Sequence, residues 1–251
     1  MSAAGGARAY VTGAGRGIGR AVALQLAADG ADVAIGYLRR DDAAQATAAE
    51  VAELGRRAVL VRGDVGDDPA GLVDEAAEAL GGLDVFVASA VEALPKPVLE
   101  LTAEDWDRTM RVNARPFVLG AIAAAGRMAD GAGRIVALSS TGTHVVRNRR
   151  YAPLALAKGA VEAAVRFLAV DLAARGITVN AVAPGPTATE AFDAMAQGDA
   201  AALRARLCAV TPMGRLGEPA DAARLVAFLC SPDAGWITGQ LVFSDGGYSL
   251  V

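Results

Sequence analysis

Short apolar runs alternate along the chain with longer segments in which apolar residues recur at helical spacing. The runs predict seven β-strands, and most of them are apolar throughout, which is typical of strands buried on both faces. The predicted strands are Ala9–Thr12, Val33–Tyr37, Ala58–Val61, Leu83–Ala88, Arg134–Leu138, Ile177–Val182 and Leu241–Phe243. No linker, repeat or low-complexity tract divides the sequence.

Between the strands the apolar spacing predicts helices. They are Arg20–Ala28, Asp42–Leu54, Pro69–Leu80, one long helical region Thr102–Met128, Pro153–Ala174 and Pro219–Cys230. Repeated strand–helix units with doubly buried strands predict a parallel sheet with helices on both faces. We therefore expect one doubly wound α/β domain over residues 1–251, with a seven-stranded parallel sheet.

Composition narrows the function classes. The 251 residues are 53% hydrophobic and carry a net charge of −4, which argues against a disordered chain and against general affinity for nucleic acid. No apolar stretch reaches the length of a membrane span. Residues 1–8 lack the apolar region of a secretory signal, so a cytoplasmic location is expected. Cys208 and Cys230 do not have metal-ligand spacing, so no metal site is expected.

A glycine-rich turn joins the first strand to the first helix, from Thr12 to Gly19. Glycines allow a tight turn there, and their missing side chains let backbone N–H groups approach a pyrophosphate at the helix N-terminus. The candidate cofactor-binding residues of this turn are Gly13, Arg16, Gly17, Ile18 and Gly19. A bare glycine pattern is weak evidence, but its place between a strand and a helix favours dinucleotide binding.

The spacing T-G-x-x-x-G-x-G resembles that of the short-chain dehydrogenase/reductase family, and the resemblance extends over nearly the whole chain. It is carried further by Thr238-Gly239-Gln240 and Asp245-Gly246-Gly247 near the C-terminus. The resemblance implies a Rossmann-type fold, a homotetramer and a substrate lid at about residues 186–212. The further cofactor-binding residues that it implies are Asp64, Val65, Ala88, Asn113, Lys158, Pro184, Gly185, Thr187 and Thr189.

The choice between the two nicotinamide cofactors follows from charge. An enzyme that uses NAD usually has an acidic residue near the end of the second strand, which binds the ribose hydroxyls. Here that strand is followed by Arg39 and Arg40, with no carboxylate before Asp41, and Arg16 lies in the glycine turn. Guanidinium groups bind a 2′-phosphate through charge-assisted hydrogen bonds, so NADPH is the predicted cofactor. The alternative is that these arginines are exposed to solvent on a loop and bind no ligand.

The predicted catalytic residues depart from the commonest family pattern, in which a tyrosine precedes the catalytic lysine by four residues. That position holds Leu154, whereas Tyr151 stands seven residues before Lys158. Offsets of four and seven return to the same helix face, so Tyr151 can reach the same cleft. Tyr-x6-Lys resembles the NADPH-linked type III enoyl-[acyl-carrier-protein] reductases. By that resemblance Lys158 would hold the nicotinamide ribose and lower the pKa of the Tyr151 phenol.

Lys158 is also one of only two lysines among 24 basic residues, which favours a specific role over a solvated helix position. Ser140 is the weaker choice for orienting the substrate carbonyl, because it precedes Lys158 by eighteen residues, one more than the common spacing. His144, the only histidine, would be an alternative proton donor. After the fourth strand the usual Asn-Asn-Ala-Gly is replaced by Ala88-Ser89-Ala90-Val91.

These observations predict an NADPH-dependent oxidoreductase that reduces the C=C bond of an α,β-unsaturated acyl thioester. The thiol carrier would be coenzyme A or an acyl carrier protein, and Arg147, Arg149 and Arg150 would form a basic rim that attracts an acidic carrier. Fatty acid or polyketide biosynthesis is the expected setting. Two alternatives stay open: a ketone or imine reductase of a specialised pathway, and a catalytically silent NADP(H)-binding protein.

Overall fold

A computed structural model describes residues 6–190, residue 192 and residues 199–251. The strands are β1 (Arg8–Val11), β2 (Asp32–Tyr37), β3 (Ala58–Arg62), β4 (Val85–Ala88), β5 (Arg134–Leu138), β6 (Thr178–Pro184) and β7 (Leu241–Ser244). The helices are α1 (Gly17–Ala28), α2 (Asp41–Glu53), α3 (Pro69–Leu80), α4 (Ala103–Asn113), α5 (Arg115–Arg127), α6 (Ala152–Ala173), α7 (Ala200–Val210) and α8 (Pro219–Cys230).

All seven strands form one parallel sheet in the order β3-β2-β1-β4-β5-β6-β7. Helices α3, α5 and α6 pack on one face of the sheet, where Tyr10 stacks on Phe86. Helices α1, α2 and α8 pack on the other face, around Val11, Ile35 and Val136. The predicted doubly wound sheet with seven parallel strands is confirmed, and the strand order reverses between β1 and β4, where such sheets bind ligands.

Local sequence signals set the ends of several elements. The Asp68 side chain accepts a hydrogen bond from the Gly71 N–H and so caps α3, whose first residue is Pro69. Gly81 ends that helix with a positive φ of 78°. At the start of α4, Thr102 and Asp105 form a reciprocal capping box.

The long helix predicted over Thr102–Met128 is wrong as a single element. The structure breaks it at Ala114, which separates α4 from α5. Pro116 explains the break, because proline has no N–H to donate to the preceding turn and its ring collides with the carbonyl four residues before. The helix α7 was not predicted either; the Asp199 side chain caps it by accepting from the Ala202 N–H.

None of the helices in the described part of the chain combines the length and the apolar composition needed to cross a bilayer. The carboxyl ends of β1, β4, β5 and β6 open onto one edge of the sheet, where a broad cleft brings together the glycine turn, the start of α6 and the segment after β6. Most of the predicted site residues line this cleft, whereas Ala88 and Asn113 line a small cavity beneath it.

Candidate functional site

The glycine turn is shaped by backbone contacts that leave no room for side chains. A Cβ at Gly19 would lie 2.3 Å from the carbonyl oxygen of Gly13, and a Cβ at Gly13 would lie 2.9 Å from the Cα of Ala90. Helix α1 begins at Gly17 without a side-chain cap and without an acidic residue in its first turn. Its first N–H groups are therefore available to an anion, and this arrangement fits the pyrophosphate of a dinucleotide.

The loop after β4 lacks the asparagines of the family pattern and is held by Thr12 of the glycine turn. The Thr12 hydroxyl oxygen accepts hydrogen bonds from the N–H groups of Ser89 and Ala90, each at 3.0 Å. Thr12 itself is buried. The Thr12 side chain therefore joins the glycine turn to the β4 loop.

The three arginines predicted to bind a 2′-phosphate lie on the same wall of the cleft. Arg16, Arg39 and Arg40 all line it, and the guanidinium groups of Arg16 and Arg40 lie 3.5 and 3.7 Å from the same carboxylate, that of Glu190. Arg40 has a left-handed backbone, with φ of 66°. Because these pairs are exposed, they contribute little to stability and can be exchanged for a phosphate.

Asp64 and Val65, the pair after β3, also line the cleft. The Asp64 carboxylate accepts a hydrogen bond from the Gly66 N–H at 2.8 Å and pairs with Arg111 at 3.2 Å. Asp64 is therefore fixed by its own turn and by α4.

Asn113 is buried at the end of α4, and its amide is fully engaged by backbone groups. Its Oδ1 accepts from the Glu92 N–H, and its Nδ2 donates to the carbonyl oxygens of Glu92 and Thr109, all at 3.0 Å. Asn113 thus ties the β4 loop to α4. Together with Ala88 and Lys158 it lines a small cavity beneath the cleft.

Lys158 lies on α6 with only 5% of its surface exposed. Burial lowers the pKa of its ammonium group to about 8, and the negative charge of Glu162, one helical turn further on, partly opposes this effect. A lysine with its pKa near neutrality in a cleft is a strong candidate for a functional residue.

Tyr151 lies in a short 3₁₀ turn, Arg149–Tyr151, directly before α6. A Cβ on Gly142 would be 3.4 Å from the Tyr151 ring and 3.3 Å from the Ser140 hydroxyl, so both side chains flank one glycine. Ser140 accepts a hydrogen bond from the Gly142 N–H at 3.1 Å, which leaves its own proton available for a substrate oxygen. Leu154, at the family's usual tyrosine position, is buried.

The direction of the Tyr151 pKa differs from the expectation. Burial raises the pKa of the phenol, and the neighbouring Tyr248 raises it further. The lowering expected from Lys158 is therefore not seen in the protein alone. A phenol that keeps its proton is a hydrogen-bond donor, which is the state needed to stabilise an oxyanion.

Sequence reasoning missed two residues of this region. Tyr248 reaches the cleft from the C-terminal segment after Gly247, whose φ is 85°, and it is buried beneath the guanidinium of Arg147 at 4.7 Å from its ring. Glu162 is buried behind Ser139. The only sequence signal for Glu162 is an acidic residue within the apolar stripe of α6.

The predicted basic rim is formed by Arg147, Arg149 and Arg150, and two of these side chains make contacts within the protein. Arg147 covers Tyr248 and donates a hydrogen bond to its carbonyl oxygen at 3.2 Å, so it belongs to the wall of the cleft. Arg150 donates to the Pro95 carbonyl oxygen at 3.2 Å, while both Arg149 and Arg150 stay exposed.

The segment after β6 turns back toward the glycine turn. The Thr187 hydroxyl donates to the carbonyl of Gly185 at 2.9 Å, and a Cβ on Gly17 would lie 3.7 Å from the Thr189 methyl group. Pro184 ends β6. The four predicted residues of this segment line the cleft: Pro184, Gly185, Thr187 and Thr189. The predicted lid continues from here; residues 191 and 193–198 lie outside the described residues, and α7 is its later part.

Comparison with known proteins agrees with this arrangement. The family model described as enoyl-(acyl carrier protein) reductase matches residues 13–249. The chain is 40% identical over 243 residues to 1-cyclohexenylcarbonyl-CoA reductase of Streptomyces collinus, with 96% of this chain and 86% of that protein covered. It is 38% identical over 250 residues to the hydroxynaphthalene reductase-like protein Arp2 of Metarhizium brunneum, with 95% and 93% covered.

Among solved structures, a short-chain dehydrogenase of Burkholderia cenocepacia in complex with NADP has a TM-score of 0.90 and 39% identity. The match covers 98% of this chain and 99% of that one. With the fold, the glycine turn and these relatives in agreement, the chain belongs to the short-chain dehydrogenase/reductase family of oxidoreductases, in which it resembles the enoyl reductases.

Proposed function

We propose that this protein is an NADPH-dependent reductase of the C=C bond in an α,β-unsaturated acyl thioester. Tyr151 and Lys158 are the catalytic residues, and Ser140 is a second hydrogen-bond donor to the substrate. The observation that carries the proposal is the pairing of Tyr151 in the turn before α6 with a buried Leu154 where a ketone reductase would have its tyrosine.

The position of Tyr151 suits the chemistry of an enoyl thioester. NADPH, when bound, supplies the hydride that is added to Cβ. Negative charge then develops on the thioester oxygen, two carbons away from Cβ. A donor that stabilises this enolate should stand further from the hydride source than the donor of a ketone reductase, and Tyr151 precedes the usual tyrosine position, that of Leu154, by three residues. Protonation of Cα completes the reduction.

NADPH is favoured over NADH by the charges at the end of β2. Arg16 and Arg40 approach a single carboxylate, that of Glu190, and Arg39 lies beside them on the cleft wall. A 2′-phosphate would replace this carboxylate with a group that carries more charge and more acceptors. The related Burkholderia protein binds NADP.

The walls around the entrance fit an apolar acyl group. Val98, Leu99 and Val146 are exposed at the cleft, and Phe192 and Leu207 line it from the lid side. An acyl chain would cover these apolar side chains. The Streptomyces relative is named for an unsaturated acyl-CoA of this type.

Homotetramer formation is part of the same proposal. The α5 and α6 surface exposes Ile122, Phe167 and Val170, and Trp236 is fully exposed at a second place. Large exposed apolar side chains of this kind would be covered when subunits associate, which supports an oligomer. Multi-angle light scattering should give a mass close to four times 25.3 kDa.

A ketone reductase is the second candidate, favoured by the 38% identity to a hydroxynaphthalene reductase-like protein and by the position of Ser140. In that case the proton donor to the alkoxide would be Ser140 or Tyr248. A protein that binds the cofactor without turnover is the third candidate, because Leu154 cannot donate a proton.

One experiment separates the three candidates. NADPH oxidation is followed at 340 nm with crotonyl-CoA, with acetoacetyl-CoA and with an aromatic hydroxyketone, and products are identified by mass spectrometry. The proposal predicts turnover of crotonyl-CoA to butyryl-CoA at a rate well above the other two. Turnover of the ketones alone would establish the second candidate, and cofactor binding without turnover of any substrate would establish the third.

A further inference from the structure

Glu162 is a buried carboxylate that the proposed reaction does not use directly. It lies on α6 with 7% of its surface exposed. Its Oε1 accepts hydrogen bonds from the Ser139 hydroxyl at 2.5 Å and from the Thr143 hydroxyl at 2.8 Å. The two donors bracket Ser140 in the turn after β5. A single carboxylate oxygen therefore fixes both ends of the segment that carries Ser140.

The same carboxylate lies one helical turn from Lys158, and both residues line the cleft. The two residues are four apart on α6, so their side chains lie on one face of the helix. Among the described residues, Glu162 is the charged group that acts on the pKa of Lys158, in the direction that keeps the ammonium charged. Both groups are buried, so water screens their interaction little.

We propose that Glu162 is a positioning residue for the reaction, whose carboxylate holds the Ser140 turn in place and keeps the buried Lys158 in its charged form. This proposal rests on the proposed function of Lys158 and Ser140. In this proposal Lys158 and Ser140 contact the cofactor or the substrate, and Glu162 acts through them.

The other titratable groups near this pair are Arg166, which is exposed one turn beyond Glu162 on α6 and lines the cleft, and residues of the two turns that pack on α6. The turn after β5 supplies His144, whose Nδ1 lies 4.0 Å from Glu162 Oε2 and 2.8 Å from the Thr143 hydroxyl. The turn before α6 supplies Tyr151. Strand β6, which packs along the same helix, has no titratable side chain, and α4 contributes the neutral amide of Asn113 to the cavity that Lys158 lines.

The chain offers a direct measurement, because it contains only two lysines, Lys96 and Lys158. With ¹³C at the lysine ε-carbon, the full-length protein gives two side-chain signals, and Lys96→Arg assigns them. The Lys158 signal of the protein without cofactor should titrate near pH 8. In Glu162→Gln the amide oxygen can still accept from Ser139 and Thr143, but the negative charge is gone. The pKa of Lys158 should then fall by on the order of one unit.

Further variants make the result specific. Glu162→Asp keeps the charge, so the Lys158 titration should stay close to that of the native protein. Where Glu162→Gln fails to fold, Glu162→Met removes the same charge at a similar side-chain volume and should lower the pKa of Lys158 in the same way. Asp171→Asn makes the same charge change at an exposed position of the same helix, nine residues further on, and should leave Lys158 unchanged. A Lys158 titration that is the same in Glu162→Gln as in the native protein, or that drops in Asp171→Asn equally, would overturn the proposal.

The activity readout distinguishes positioning from general damage. Where Lys158 is protonated in both proteins, well below pH 7, Glu162→Gln should keep a kcat/KM close to the native value. Its activity should then fall at a lower pH than that of the native protein as pH rises. A uniform loss at every pH would contradict the proposed action through Lys158. If crotonyl-CoA is not a substrate at all, the proposed function fails, while the lysine titration still tests Glu162.

Discussion

The cleft has two sides, and different parts of the chain build them. On the side of β1 to β4, backbone contacts set the shape. Gly19 lies so close to the backbone of Gly13, and Gly13 so close to that of Ala90, that no side chain fits at either glycine. On the side beyond β5, side chains set it: Glu162 holds the Ser140 turn, and Arg147 covers Tyr248. A backbone-built surface suits a ligand part that is the same in every turnover, and a side-chain-built surface can change with the substrate.

The difference predicts how the two sides respond to mutation. A substitution at a glycine of the cofactor side should act through steric exclusion and remove binding altogether. A substitution on the substrate side should leave the fold and the cofactor in place and change rate or specificity. Four predictions test this contrast, from the largest expected effect to the smallest.

The largest effect is expected from Gly19→Ala. Its Cβ would lie 2.3 Å from the Gly13 carbonyl oxygen, so the turn must move, and both NADPH and NADH binding should be lost in a fluorescence titration. Gly126→Ala is the matched control, because a Cβ there meets no atom within 4 Å and α5 is regular at that point. It should bind cofactor normally and stabilise the helix by up to about 1 kcal/mol. Normal binding by Gly19→Ala would contradict the backbone-built cofactor side.

The two sides also differ in how far the sequence predicts them. The strands and the glycine turn follow from apolar runs and from a local motif, because their conformation depends on residues close in sequence. Tyr151 and Lys158 are likewise close enough in sequence for a spacing argument. The sequence does not predict that Tyr248 enters the cleft, since that depends on the Gly246–Gly247 turn and on Arg147, about a hundred residues away in the chain.

Glu162 shows the same limit. An acidic residue on a helix is usually solvated, and only the packing of the turn after β5 against α6 reveals that this carboxylate is buried with two hydroxyl donors. The helix break at Ala114 is predictable from the sequence, because Pro116 stands inside the predicted helix. The apolar spacing continues on both sides of Pro116 and therefore favours a single helix.

The second prediction concerns the substrate side. Tyr151→Phe should lower kcat for crotonyl-CoA by about 100–1,000-fold, the usual effect of losing one donor to a developing oxyanion. The dissociation constant of NADPH should change little, because the hydroxyl acts on the substrate. Initial rates at 340 nm and a cofactor titration measure the two quantities. Tyr248→Phe is the informative companion: if it, and not Tyr151→Phe, abolishes the reaction, the donor comes from the C-terminal segment.

The third prediction returns to the cofactor side, where exposed arginine side chains rather than backbone groups would bind the ligand. Replacing Arg39 and Arg40 together by Ala should weaken NADPH binding by about 1.5–3 kcal/mol, the range for a lost charge-assisted hydrogen bond. This corresponds to a roughly 10–150-fold higher dissociation constant, with NADH nearly unaffected. Arg62→Ala, which removes an exposed arginine paired with Asp41, is the control and should change neither. Equal losses for NADPH and NADH would rule out a 2′-phosphate site.

The smallest effect is expected at the rim of the substrate side, where the carrier would dock. All three arginines are exposed, but Arg147 also stacks on Tyr248, which lines the cleft, so the test variant is Arg149→Gln with Arg150→Gln and leaves Arg147 intact. An acidic acyl carrier protein would be attracted by these charges, and each exposed pair is worth no more than about 1 kcal/mol.

The double variant should therefore raise KM for a carrier-bound enoyl group by about 3–30-fold, a range set by two such pairs. The KM for an enoyl N-acetylcysteamine thioester, which has no carrier, should stay nearly constant. Because exposed charges are screened by salt, the difference between the two substrates should shrink as ionic strength rises from about 0.01 to 0.15 M. Steady-state rates with both substrates at each salt concentration measure it. Equal changes for both substrates, or a difference that salt does not reduce, would show that these arginines are exposed loop residues without a role in carrier binding.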